Sequence, residues 1–219
     1  MFDRLSQQGG QSGRGLGRAI IACALLGMAA TGVARAEGDP EAGQAKSMVC
    51  AACHGADGNS VNPEWPTLAG QHAGYTVRQL QAYQDGRRNN VLMLGQVAGL
   101  SEQDMWDLAA FYEAQTKNPL PAGSGDLELG ERIYRGGNTE TGVSACIACH
   151  GPRGLGNPIE HYPRVGGQHA RYLSDTLRDY RSGERQSDDG VLSEMMRSIA
   201  RRMTDEEIDA VAAFMQGLQ

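Results

Sequence analysis

The sequence predicts an all-α chain made of two similar helical units in tandem, on three observations. Two pentapeptides of one pattern, Cys50-Ala51-Ala52-Cys53-His54 and Cys146-Ile147-Ala148-Cys149-His150, occur once in each half. Their flanks repeat as well, because Pro66-Thr67-Leu68-Ala69-Gly70-Gln71-His72-Ala73-Gly74-Tyr75 matches Pro163-Arg164-Val165-Gly166-Gly167-Gln168-His169-Ala170-Arg171-Tyr172. Repetition on this scale means that a whole structural unit, and not a short motif, has been written twice. The segments beyond each motif then place apolar residues three and four apart, the spacing of one helix face.

The first residues are read as a leader, separate from the fold. Arg14 and Arg18 precede an apolar, small-residue run from Ala19 to Ala34, and Ala34-Arg35-Ala36 offers a small-x-small cleavage site. Residues 1–36 are therefore expected to be a secretory signal cleaved near Ala36, with an uncleaved N-terminal anchor as the alternative. Cys23 falls inside this run and accounts for the odd total of five cysteines. The other four all belong to the two pentapeptides, so no structural disulfide is expected even in an oxidising compartment.

Domain boundaries follow from the repeat and from one break. Asn118-Pro119-Leu120-Pro121-Ala122-Gly123-Ser124-Gly125 combines prolines with small residues, a composition that stops helices. The units are placed at 37–117 and 126–219, with 118–125 as the linker. Each opens on a helix, near 40–52 and 128–136, leading towards its pentapeptide. A middle helix carries Tyr75, Gln79, Leu80 and Tyr83 in one unit and Tyr172, Thr176, Leu177 and Tyr180 in the other, and Gly86 and Gly183 supply its stops. Closing helices start at Ser101-Glu102-Gln103-Asp104, which resembles a capping sequence with an acidic third position, and at Thr204-Asp205-Glu206-Glu207, a capping box. Their apolar stripes, Met105, Leu108, Ala109 and Tyr112, then Ile208, Val211, Ala212 and Met215, read as core. Between pentapeptide and middle helix, the Gly, Pro and Asn content predicts irregular loops.

Cys-x-x-Cys-His is the attachment signature of c-type haem, with two thiols for thioether bonds and a histidine for the iron. Cys50 and Cys53, and Cys146 and Cys149, are thus the expected attachment points of two covalently bound haem c groups, with His54 and His150 as iron ligands. Pro66 and Pro163 lie where a backbone carbonyl could meet the free histidine N–H and raise the basicity of the ring; simple loop rigidity is the other reading. A large apolar plate would also supply the core that units of this size, with few aromatics, lack.

The sixth ligand separates an electron carrier from a reactive haem, since an open position admits small ligands and methionine closes it. Met93 and Met196 stand eight residues before Ser101 and Thr204, so the repeat register selects them, over Met195 in the second case. His72 and His169 are the rival ligands because both are repeated, although each follows its pentapeptide closely. Met48, Met105 and Met203 are expected to be packing residues, and His161 a surface loop residue. Trp65 and Trp106 could face haem or core.

Charge narrows the partners. Of 20 Lys and Arg and 26 Asp and Glu in the chain, Arg4, Arg14, Arg18, Arg35 and Asp3 lie in the leader, which leaves a formal balance of −9. A nucleic-acid binder needs a basic face, so none is expected. No acid–base pair suited to catalysis is evident, and the abundant carboxylates read as solvated helix faces.

Val49-Cys50-Ala51-Ala52-Cys53-His54-Gly55-Ala56-Asp57-Gly58-Asn59-Ser60, Leu68-Ala69-Gly70-Gln71, Gly166-Gly167-Gln168-His169-Ala170 and the ending Met215-Gln216-Gly217-Leu218-Gln219 together resemble the dihaem cytochrome c4 family. The resemblance spans the chain beyond the leader. It implies two class I cytochrome c domains related by a pseudo-twofold, His/Met ligation through Met93 and Met196, and haem propionate edges facing each other across the interface. It also implies a periplasmic electron-transfer role. Expected partners are a quinol-oxidising complex or small electron carrier as donor and a terminal oxidase as acceptor, with possible peripheral membrane association. The sequence departs from some relatives in the short Gly86-Arg87-Arg88-Asn89-Asn90 loop, where the second unit has a longer one containing Asp188-Asp189-Gly190. The alternatives are a dihaem oxidoreductase, such as a peroxidase or sulfur-compound dehydrogenase, and a haem subunit of a flavoprotein dehydrogenase.

Overall fold

In each half the first and last helices cross where a glycine removes the obstacle of a side chain. The computed structural model describes residues 38–186 and 190–219, so the expected leader with its Cys23, and Asp188-Asp189, lie outside the described residues. The first half contains α1 (Pro40–Lys46), α2 (Met48–His54), α3 (Ala73–Gln84), α4 (Val91–Val97) and α5 (Glu102–Glu113). The second contains α6 (Leu127–Gly136), α7 (Ile147–His150), α8 (Ala170–Ser182), α9 (Val191–Ala200) and α10 (Asp205–Gln216). A Cβ on Gly43 of α1 would stand 2.0 Å from the Asp107 carbonyl oxygen on α5, and one on Gly130 of α6 would stand 2.2 Å from that of Ala210 on α10. Helix axes approach this closely only where no side chain stands between them.

The helix ends follow from local chemistry. Asp39 caps α1 by accepting from the N–H groups of Glu41 and Ala42, with Pro40 in the first turn, where its missing N–H costs nothing. Asp126 caps α6 by accepting from Leu129 N–H at 2.9 Å. Ser101 and Thr204 each form a full capping box, with Asp104 and Glu207 returning the bond to the cap backbone. Gly86 at φ 78° and Gly183 at φ 87° take the left-handed conformation that ends α3 and α8, a geometry that other residues reach at a cost.

Two details differ from the sequence expectation. The opening helix of the first half breaks at Ser47, whose hydroxyl turns back to donate to the Gln44 carbonyl oxygen at 2.8 Å, so α1 and α2 are separate. Met48, expected to pack, is 80% exposed at the start of α2, because the break turns its side chain outward. Met105 and Met203 are buried as expected, and His161 is exposed. Both closing-helix stripes are buried in full.

The cores differ in chemistry. In the second half Ile133, Tyr134, Leu173, Leu177, Ile208 and Val211 pack together. In the first half Val77, Met105 and Ala109 form a smaller cluster flanked by Trp106 and Leu80. Beside it, Lys46 is paired with Asp104 and with the buried Asp107, where the second half has Ile133 and Ala210. The segment between the halves packs against α10, since Gly123 N–H donates to the Ala213 carbonyl oxygen at 2.9 Å and Gln216 Nε2 to that of Pro121 at 2.8 Å. No helix among the described residues is long and apolar enough to cross a membrane.

Candidate haem sites

A cavity of about 1030 Å³ runs along both halves, and Cys50, Cys53, His54, Met93, Cys146, Cys149, His150 and Met196 all line it. The cysteines are half-buried and free, and each histidine ends its short helix with the ring buried. In a helix, residues three and four apart share a face. The first thiol and the histidine of each pentapeptide are so related, which turns both towards one space.

The histidine rings are held in one orientation. His54 Nδ1–H donates to the Pro66 carbonyl oxygen at 2.8 Å, and His150 Nδ1–H to that of Pro163 at 3.0 Å. A carbonyl can only accept, so the proton sits on Nδ1 and the lone pair on Nε2 is left for a metal. Burial pushes both imidazole pKa values below the ordinary value, against the opposing pull of the carbonyl bond, and so favours the neutral, ligating ring. Pro66 and Pro163 thus do more than stiffen their loops.

The methionines come from different surroundings. Asn90 caps α4 by accepting from the N–H groups of Leu92 and Met93 at 3.0 and 3.1 Å, which fixes the turn that carries Met93. Met196 lines the cavity from α9 and packs against the second core, whereas its neighbour Met195 lines the same cavity but is 36% exposed. Trp65 lines the cavity and Trp106 packs in the core, a division the sequence left open.

The rival ligands His72 and His169 do not line the cavity, and each reaches into the opposite half. His72 Nε2–H donates to the Leu155 carbonyl oxygen at 2.8 Å, and His169 Nε2–H to that of Ser60 at 2.9 Å. The preceding glutamines do the same: Gln71 Nε2 donates to the Arg164 carbonyl oxygen and Gln168 Nε2 to that of Thr67, both at 2.9 Å. Such reciprocity, in which equivalent residues exchange equivalent bonds, is what a twofold relation between halves requires. The repeated Gln-His pair therefore joins the two halves.

Two further residues on the cavity wall escaped sequence reasoning. Arg88 and Arg185 both line it, and Arg185 is 2% exposed, among the largest fully buried side chains. Arg88 donates to Gln79 Oε1 at 2.9 Å and stacks over the Tyr83 ring, while Arg185 donates to the same Oε1 at 3.0 Å and stacks over Tyr180. The one available signal was that an arginine follows each of the stops Gly86 and Gly183 two residues on.

These donor sets fit haem c. Paired thiols, an imidazole with its far nitrogen free, a thioether sulfur and mostly apolar walls suit a macrocycle, and the guanidinium groups of the buried Arg185 and the half-buried Arg88 suit its carboxylates. When bound, haem iron supplies one-electron chemistry between its ferrous and ferric states.

Comparison with known proteins agrees with this chemistry. The cytochrome c family matches residues 40–114 and again 128–219. The chain is 41% identical over 199 residues to cytochrome c4 of Pseudomonas aeruginosa, a match that covers 91% of this chain and 98% of that one. It is 38% identical over 175 residues to a thiosulfate dehydrogenase electron acceptor of Stutzerimonas stutzeri, covering 77% and 78% of the two chains. The crystal structure of reduced recombinant cytochrome c4 from Pseudomonas stutzeri superposes with a TM-score of 0.79 at 40% identity, covering 83% of this chain and all of that one. With two cytochrome c domains in tandem, each bearing the attachment pattern of a covalent haem c, the chain belongs to the cytochrome c4 family of dihaem electron-transfer proteins.

Proposed function

We propose that the chain is a periplasmic shuttle that takes electrons from a quinol-oxidising complex or small carrier and delivers them to a terminal oxidase. Cys50 and Cys53 anchor one haem and Cys146 and Cys149 the other. His54 with Met93, and His150 with Met196, complete two closed six-ligand irons. The domains are 37–117 and 126–219, joined by 118–125.

The observation that carries this reading is the pairing, on one cavity, of a histidine whose Nδ1–H is tied to a carbonyl with a methionine in the register-equivalent place of each half. Closed coordination leaves an electron nowhere to go except to another redox centre, and it needs little rearrangement on transfer. The expected outcome is that the ferrous protein keeps its spectrum under carbon monoxide and is re-oxidised by membranes containing a terminal oxidase. A carbonmonoxy spectrum at either haem would overturn the closed-shell assignment.

A second donor class is favoured by the likeness to the electron acceptor of a thiosulfate dehydrogenase. In that case a sulfur-compound-oxidising enzyme reduces the protein. Stopped-flow reduction by such an enzyme, set against reduction by a quinol-oxidising complex, separates the two donors.

A further inference from the structure

We propose that each half positions the iron-ligating histidine of the other, Gln168 acting on His54 and Gln71 on His150 through a single shared peptide group. The inference rests on reading those histidines as iron ligands.

The connection is one peptide plane long. Gln168 Oε1 accepts from Thr67 N–H at 2.9 Å, and the carbonyl of that same peptide group is Pro66 O, which accepts from His54 Nδ1–H at 2.8 Å. In mirror image, Gln71 Oε1 accepts from Arg164 N–H at 3.0 Å, and the carbonyl of that group is Pro163 O, which accepts from His150 Nδ1–H at 3.0 Å. The peptide unit is planar and resistant to twisting, so holding its N–H end fixes the direction of its C=O end. A peptide whose N–H is engaged is also a more polarised acceptor, and bonds in such a chain strengthen one another.

Each glutamine is built for this task. Gln168 is 3% exposed and Gln71 is 7% exposed. Each Oε1 also accepts from the N–H of the following histidine, and each Nε2 donates to the carbonyl of the gripped residue. Both ends of Thr67 and of Arg164 are therefore held by an amide from the opposite half, which leaves the glutamine no alternative rotamer that keeps its bonds.

The consequence is crossed. A stronger Nδ1–H bond makes imidazole a better donor, which favours ferric iron and lowers the reduction potential. Gln168→Leu removes the acceptor at Thr67 N–H while keeping an apolar side chain of similar length. It is expected to raise the potential of the haem on Cys50 and Cys53, although residue 168 belongs to the other half. Gln71→Leu is expected to raise the potential of the haem on Cys146 and Cys149.

The test uses the full dihaem protein. Met93→His and Met196→His first assign the two redox waves, because a second histidine in place of methionine lowers the potential of its own haem. If neither variant moves a wave, the ligand reading itself has failed. With the waves assigned, Gln168→Leu should move the first-half wave upward by more than the second and speed the solvent exchange of His54 Nδ1–H but not that of His150. Gln71→Leu should do the converse, and it carries the test if the Gln168 variant does not fold. A shift confined to the variant's own half, equal shifts in both waves, or unmoved waves with unchanged exchange would each overturn the relay while leaving the ligation intact.

Discussion

The guanidinium of Arg88, on the loop after α3, donates to the phenolic oxygen of Tyr172 on α8 at 3.0 Å, a bond between the two halves. Arg185 returns it by donating to Tyr75 at 2.7 Å. Arg88→Leu leaves the Tyr172 oxygen short of a donor and removes one of the two donors to Gln79. The expected loss is about 1–3 kcal/mol, the cost of stranding buried polar groups. Arg87→Leu, which breaks an exposed pair with Asp85, is expected to cost less, about 0–1 kcal/mol. Denaturant titration of both variants measures the contrast.

The proposed sulfur ligands, Met93 and Met196, are tested by the near-red band of methionine-ligated ferric haem. Met93→Ala and Met196→Ala are each expected to remove about half of its intensity, and Met195→Ala to leave it unchanged. Loss of intensity in Met195→Ala with Met196→Ala intact would transfer the assignment to the neighbouring residue.

Acid sensitivity is expected to reside in the first half. The hydrogen bond from Lys46, with those from Asp39 N–H and Gln103, holds the Asp107 carboxyl below its ordinary value of 3.8. Ser101 and Lys46 do the same for Asp104. A carboxyl whose folded pKa is depressed contributes stability that is complete above the unfolded pKa and is lost as pH falls through the folded one. Asp107→Asn should therefore melt below the wild type at pH 7, and the gap should close as pH drops below 3.8. A gap that stays constant across that window would show that the charge contributes nothing.

Glycine at the two helix crossings and glycine in open space predict opposite responses to one change. Gly43→Ala and Gly130→Ala force a Cβ onto a backbone carbonyl and should destabilise by about 1–3 kcal/mol, the range for overpacking. Gly74→Ala, in the first turn of α3 with nothing within 4 Å, should gain about 0.4–1 kcal/mol by restricting the unfolded chain. Thermal melts of the three variants decide this.

Much of the fold was legible because its signals are local. Haem attachment, helix stops at Gly86 and Gly183, capping boxes at Ser101 and Thr204, and the stripes of α5 and α10 each depend on residues within a few positions of one another. What escaped was the face each half turns to its sister. Periodicity says that Tyr75, Gln79 and Tyr83 share one side of α3, but not that the side meets a second protein surface carrying a buried arginine. His72 and His169 read as rival ligands for the same reason, since repetition shows that a residue type matters without saying whether it matters to the haem or to the joint. The Ser47 break is not legible either, because it depends on a hydroxyl turning back to the Gln44 carbonyl three residues earlier.

The glycine crossings have a consequence in time. They join the first helix of each half to its last, so neither half is closed until its final dozen residues are present. The cysteines and histidine of each pentapeptide lie far upstream, and in a chain that emerges N-terminus first they are exposed while α5 or α10 has yet to arrive. Contacts far apart in sequence must first overcome the entropy of closing the loop between them. A haem joined to the emerging chain would meet an unfinished unit, and the last helix would then shut the compartment around it.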